Sequence, residues 1–195
     1  PSSQGSNDLK HRSILSIMQI KNKNLLLGTD GKGLNWLNHN SDKILSPLLK
    51  HDPTNDLSIA GNVVKTIFQD NQDKLWIGLF GEGLDLFDPL EQTFSHVIDE
   101  QINVWSIDQK SAGELLIATM GSGIIALDPN TKERREFDSQ IISPNVMKIY
   151  IDKEARTWVG TAYDGILVYS NEDKLEKIYQ FDPPDSTSLS SNEVR

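Results

Sequence analysis

One stretch of sequence returns four times along this chain, and that periodicity limits the fold more than any other property. The clearest copy runs from Val64 to Asp88: a strand-like run, the polar cluster Asp70-Asn-Gln-Asp73, then Leu-Trp76-Ile-Gly78-Leu-Phe-Gly81-Glu-Gly83-Leu-Asp-Leu-Phe87-Asp88. The other copies hold Leu26-Leu-Gly28-Thr-Asp-Gly31-Lys-Gly33, Leu116-Ile-Ala118-Thr-Met-Gly121-Ser-Gly123 and Trp158-Val-Gly160-Thr-Ala-Tyr-Asp-Gly165. Their anchoring glycines Gly33, Gly83, Gly123 and Gly165 are 50, 40 and 42 residues apart. His51 to Lys65 also aligns without a gap to Phe181 to Arg195, so a fifth copy starts near Asn192.

A unit of about 40 residues with several short strands and frequent turn signals is the pattern of a propeller blade. Helical repeats of similar length are disfavoured, because the apolar runs are short, rich in Ile, Val, Leu, Trp and Phe, and broken by Gly, Asn and Asp. The expected fold is all-β, a partial β-propeller of about four four-stranded antiparallel blades. The expected organisation is a tail at 1–12, blades at 13–61, 62–101, 102–143 and 144–191, and the start of a truncated fifth blade at 192–195.

Each repeated position has a physical task. The clusters at 70–73, 21–24 and 110–113 supply turn formers that close the first hairpin. The large apolar residue two before the first glycine, Leu26, Trp76, Leu116 or Trp158, sits mid-strand, where it can pack between blades. The Gly-x-Gly-Leu step allows positive φ in a tight connection, and Asp-Pro at 88 and 128 ends the third strand. Outer strands follow at 94–98, 132–137 and 175–181, mixed in polarity as an edge should be. Gly28, Gly33, Trp76, Gly78, Gly83, Gly123, Trp158, Gly160 and Gly165 are therefore read as scaffold.

Composition narrows the function. A net charge of −9 opposes attraction to phosphate backbones and anionic lipid, so neither nucleic acid nor direct membrane insertion is expected of this chain. No window approaches the length of apolar sequence that a spanning helix needs. The absence of cysteine removes disulfides, thiolate metal sites and a cysteine nucleophile together.

The repeat resembles the two-component regulator propeller repeat, whose pattern is Val-x-x-Ile-x-x-Asp-x-x-Gly-x-Leu-Trp-Ile-Gly-Thr, then Gly-Gly-Leu and an aromatic-Asp pair. Val64 to Asp88 nearly spells it out, and Ile149 to Tyr169 follows it with Asp152, Trp158-Val-Gly-Thr161 and Asp164-Gly-Ile. The first and third copies depart from it at Leu26, Leu116 and Ala118. The resemblance covers about residues 13 to 195. It implies the extracytoplasmic, periplasmic sensor region of a Bacteroidetes-type hybrid sensor histidine kinase and response regulator, with oligosaccharides as cues. Such a segment is not itself an enzyme.

The chemistry-bearing residues are weighed against that scaffold. Gly28-Thr-Asp-Gly31-Lys-Gly33 lacks the helix a phosphate loop needs and recurs in every copy. His11, His39, His51 and His96 have no metal-ligand spacing and read as surface residues. Asp70, Asp73 and Asp152 occupy turn positions where a side-chain oxygen accepts backbone N–H groups. No cofactor and no metal is expected.

Residues that vary where the scaffold repeats are free to bind. One set lies at the start of the innermost strand: Leu15, Lys65, Trp105, Met147 and Arg195. The other lies in the loop before Gly-Leu: Asp30 and Lys32, Phe80 and Glu82, Met120 and Ser122, Tyr163 and Asp164. Lys65, Trp105, Met147, Phe80, Glu82, Tyr163 and Asp164 are the ligand candidates, with Trp105 and Tyr163 foremost because an aromatic face can stack on a sugar ring. The expected partners are an oligosaccharide or another small extracytoplasmic ligand, and neighbouring blades or a second chain at the open edges. A streptogramin-lyase-like propeller enzyme and a purely structural or dimerisation module are the rival readings.

Overall fold

The computed structural model describes residues 13–20, 23–37, 44–137 and 143–195, with the side chains of 44–48 excepted. The expected tail at 1–12, half of the 21–24 turn, and His11 and His39 lie outside the described residues. Sixteen strands form, and no helix is found among the described residues. They are β1 (Ile14–Gln19), β2 (Leu25–Thr29), β3 (Leu34–Leu37), β4 (Ile44–Leu49), β5 (Val64–Gln69), β6 (Leu75–Leu79), β7 (Leu84–Asp88) and β8 (Thr93–Ile98) in the first half. The second half adds β9 (Asn103–Gln109), β10 (Leu115–Met120), β11 (Ile124–Leu127), β12 (Arg134–Glu136), β13 (Val146–Ile151), β14 (Thr157–Thr161), β15 (Ile166–Tyr169) and β16 (Leu175–Tyr179).

Each run of four consecutive strands makes one antiparallel sheet, giving four four-stranded sheets. The innermost strands β1, β5, β9 and β13 pack side by side in that order, so the sheets stand as blades around one axis. Alternation within each strand sends one row of side chains to the preceding blade and the other to the following blade. Leu26 thus packs with Ile59, Val64, Ile77 and Leu79 of the next unit. Trp76 packs with Val104, Ile107, Leu115 and Ile117, and Leu116 with Val146, Ile149, Val159 and Tyr169. Trp158 is at the equivalent place on the last sheet and is only half-buried, stacked on Tyr179 with ring centroids 6.1 Å apart.

The two tryptophans are held by the turn that precedes them. Asp70 accepts the amides of Gln72 and Lys74 on one carboxylate oxygen and the Trp76 indole N–H, at 2.9 Å, on the other. Asp152 repeats this with Glu154, Arg156 and the Trp158 indole at 2.7 Å. One carboxylate therefore closes the hairpin and fixes the rotamer of the interblade tryptophan. Lys132 from the following blade lies 4.3 Å above the Trp76 ring and seals it from outside.

The spacer between blades is equally repetitive. The amide of His51 donates to the Asn62 side chain and that of Asp52 to Ser58 Oγ. Phe181 does the same with Asn192 and Asp182 with Ser188. Val194 then lies over Gly160 and donates its amide to the Thr161 carbonyl, so residues 192–195 sit on the fourth sheet. The outer strand of the third sheet is shorter than expected, because Lys132 adopts φ 65° within the turn that begins at Asp128.

Gly83 takes φ +69°, and a Cβ there would lie 2.1 Å from the Ile98 carbonyl oxygen. Gly81 takes φ +85° with open space around it. Gly81→Ala should therefore cost about 1–2 kcal/mol, for the left-handed backbone alone. Gly83→Ala should cost more than about 3 kcal/mol, because strand β8 must move as well. Urea unfolding midpoints of the two variants check the order. A second test uses pH. Partial burial pushes the Asp152 carboxyl up, but the Trp158 and Arg156 hydrogen bonds and the Arg156 charge outweigh it and bring the pKa from 3.8 down to about 2. A depressed carboxylate pKa adds stability that is complete above 3.8 and is lost as pH falls towards about 2. Asp152→Asn should flatten the acid side of the stability profile in that window, as read by circular dichroism.

Candidate ligand-binding site

The register of the inner strands decides where the variable residues point. Val64 pairs with Leu79 and Thr66 with Gly78, so Lys65 is an extra residue with no partner across the ladder. Leu15 stands in the same place between Ile14 and Ser16, Trp105 between Val104 and Ser106, and Met147 between Val146 and Lys148. Each is therefore the bulged residue of its blade. A bulge locally bends the strand and re-aims a side chain that regular pleating would have sent between the sheets.

Opposite the bulges of the first and second blades the scaffold is tightly closed. A Cβ on Gly78 would come within 2.6 Å of Val104 of the next blade, and one on Gly28 within 2.6 Å of Val64. The threonine that follows this position in the first, third and fourth blades has a second task. Thr29, Thr119 and Thr161 donate their hydroxyls to the carbonyls of Gly33, Gly123 and Gly165 and accept the amides of Lys32, Ser122 and Asp164. The hydroxyl clamps the variable loop in the first, third and fourth blades, whereas the second blade, whose loop carries Phe80 and Glu82, has Leu79 in its place.

Three of the candidates come together. The Lys65 ammonium lies 4.5 Å from the Trp105 ring centroid and 5.4 Å from that of Phe80. Phe80 is brought there by its loop, where its amide donates to the Val63 carbonyl at the start of β5. Its ring is 48% exposed, whereas Lys65 and Trp105 are half-buried. The indole N–H of Trp105 is buried with no acceptor among the described residues.

The remaining candidates are placed differently. Glu82 leans over the spacer, where a Cβ on Gly61 would meet its Cγ at 2.7 Å. Met147 is buried and offers almost no surface. The Asp164 amide is committed to Thr161, and its carbonyl accepts Gln180 Nε2. Counting from the first glycine, the equivalents of Phe80 are Asp30, Met120 and Ala162, and Tyr163 occupies the place of Gly31, Gly81 and Gly121. Those glycines have φ of 85°, 85° and 105°, and Tyr163 does not share that backbone. Its ring, 69% exposed, is one residue displaced from the Phe80 position with which the sequence pattern grouped it.

Among the described histidines, His96 is not simply a solvated surface residue. Its Nδ1 lies 2.7 Å from Asp85, a fully buried carboxylate that also accepts the Ala60 amide of the spacer. Burial pushes the Asp85 carboxyl up, against the pull of the Ala60 and His96 hydrogen bonds. This pair ties the spacer to the second blade. The only signal for it in sequence is an acid and a histidine on neighbouring strands β7 and β8, in register as Asp85 and His96. His51 Nδ1 faces the Ile59 carbonyl at 2.9 Å within the spacer. Among the described residues no group of three or more His, Cys, Asp or Glu could hold a metal ion.

Three likenesses bear on this arrangement. The chain is 26% identical over 185 residues to histidine kinase P4 of Formosa agariphila, an alignment covering 87% of this chain and 13% of that protein. The extracellular domain of a one component system from Bacteroides thetaiotaomicron superposes with a TM-score of 0.77 at 19% identity, over 93% of this chain and 24% of that one. A virginiamycin B lyase from Staphylococcus aureus superposes with a TM-score of 0.69 at 11% identity, over 89% of this chain and 57% of that one. At such identities the two structures establish the propeller fold alone. The chain spans about an eighth of the length of the kinase, and the four-sheet arc is a propeller segment, not a kinase catalytic domain. The sequence profile of the two component regulator propeller matches residues 58–81, the stretch from Ser58 through the bulge at Lys65 and Trp76 to Gly81. One copy of the two component regulator propeller repeat is thus matched at residues 58–81, within an arc of four sheets that share one strand order.

Proposed function

We propose that this chain is part of the extracytoplasmic, periplasmic sensor region of a hybrid two component system, that it binds an oligosaccharide, and that it catalyses nothing itself. The observation that carries this reading is the convergence of Lys65, Phe80 and Trp105 from two blades onto one mouth of the arc. Aromatic faces beside a polar donor suit a sugar, whose rings present C–H faces and hydroxyl edges. The match to the two component regulator propeller and the likeness to a histidine kinase support a role in signalling. A signal would follow from a ligand that binds one arrangement of the sensor more tightly than another.

The lyase reading asks for a histidine at the channel mouth. The described histidines sit in the spacer and on outer strand β8, which favours binding over catalysis. The experiment is a thermal-shift screen of the purified protein against a panel of oligosaccharides. A glycan present at 100 times its dissociation constant should add roughly 2.7 kcal/mol of stability. A concentration-dependent shift that Trp105→Ala abolishes supports the reading, and a folded protein indifferent to every glycan overturns it.

The two flanks of the arc favour a further blade or a second chain as partner. Ile17 on β1 is 66% exposed and Tyr150 on β13 is 57% exposed, on faces that equivalent blades cover inside the arc. Sedimentation velocity should reveal association that weakens when Ile17 and Tyr150, one on each flank, are both changed to Glu. A single species of 21.9 kDa at every concentration would refute it.

A further inference from the structure

Half-buried lysines that lie over aromatic rings elsewhere in this molecule also have an oxygen partner. Lys110, over Phe137, is bonded to Asp173 and lies 3.8 Å from Glu114. Lys132, over Trp76, donates to the Pro129 carbonyl at 2.8 Å. Lys65 has the rings of Trp105 and Phe80 and, among the described residues, no carboxylate or carbonyl within bonding distance. Ring faces attract an ammonium but do not neutralise it or take up its three N–H donors. The nearby acid on the same loop, Glu82, is turned towards the spacer.

The bulge explains why the charge stands here. Regular pleating would send residue 65 into an apolar interface, whereas the bulge turns it to the mouth of the arc. The next blade supplies the Trp105 face, and the half-exposed Phe80 ring borders the same space. We propose that Lys65, Phe80 and Trp105 form a subsite for an anionic group carried on a sugar ring, the ring lying against the aromatic side chains and the carboxylate or sulfate accepting from Lys65. This rests on the oligosaccharide-binding reading and deepens it. The overall charge of −9 repels acidic polymers at long range, so binding of such a ligand must come from local contact of this kind. A charge-assisted hydrogen bond formed beside apolar rings is stronger than one in open water.

The test is calorimetric titration of the purified protein with oligogalacturonides, with the same oligosaccharides after carboxyl reduction, and with a sulfated disaccharide, repeated on Lys65→Met and Lys65→Arg. The expected result is that an acidic glycan, uronate or sulfated, binds. Its uncharged counterpart should bind at least about tenfold more weakly, a difference of about 1.4 kcal/mol. Lys65→Met should erase that difference and Lys65→Arg should keep most of it. The comparison of charged and reduced ligands on the unaltered protein stands even where a variant folds poorly. If neutral glycans bind as well as acidic ones and Lys65→Met changes nothing, the anionic subsite falls while the oligosaccharide reading survives. If no glycan of either kind binds, both fall.

Discussion

In three of the four blades the contact with the segment that follows is made at a point with no room for a side chain. Val64 lies over Gly28, Val104 over Gly78 and Val194 over Gly160, each so close that a Cβ on the glycine would overlap it. The contact sets the distance between neighbouring inner strands. Everything outward depends on that spacing, because the interblade residues Leu26, Trp76 and Leu116 fill a gap whose width the inner contact decides. The third blade has Ala118 in place of this glycine and Leu116 in place of the tryptophan, so the packing solution varies while the architecture stays.

Polar groups make the apolar packing specific. Asp70 and Asp152 satisfy turn amides and an indole N–H with a single carboxylate, and a buried tryptophan would otherwise leave that donor without a partner. Lysines and arginines then close the outer rim between the third and fourth blades, where Lys110 and Arg135 converge on Glu114 and Asp173. A pair at this partly buried rim is worth more than an isolated surface ion pair, because less of its field is screened by water.

The proposed binding site lies where the repeat is broken in a regular way. A bulge at the same step of every inner strand frees one residue per blade from packing, and Leu15, Lys65, Trp105 and Met147 fill those places with unlike chemistry. Their alignment was legible in the sequence, since the flanking valines and glycines repeat. Their directions were not. Met147 is buried while Lys65 meets two rings, one of them from the neighbouring blade. Tyr163 shows the opposite case: chemically apt in sequence, it stands at a loop position that its counterparts fill with glycine of positive φ. The Asp85 and His96 pair was not legible in the sequence, because a buried carboxylate and an exposed one look alike along the chain.

The sequence by itself determined the blade, the number of repeats and the turn chemistry, because these rest on local spacing: period-two strands, glycines with positive φ, and aspartates that bond amides two to four residues ahead. Only the tertiary structure decided which variable residues share a space and which charges lack a partner. Lys65 and Trp105 are 40 positions apart in the chain and meet because adjacent blades pack at a distance that a missing Cβ permits.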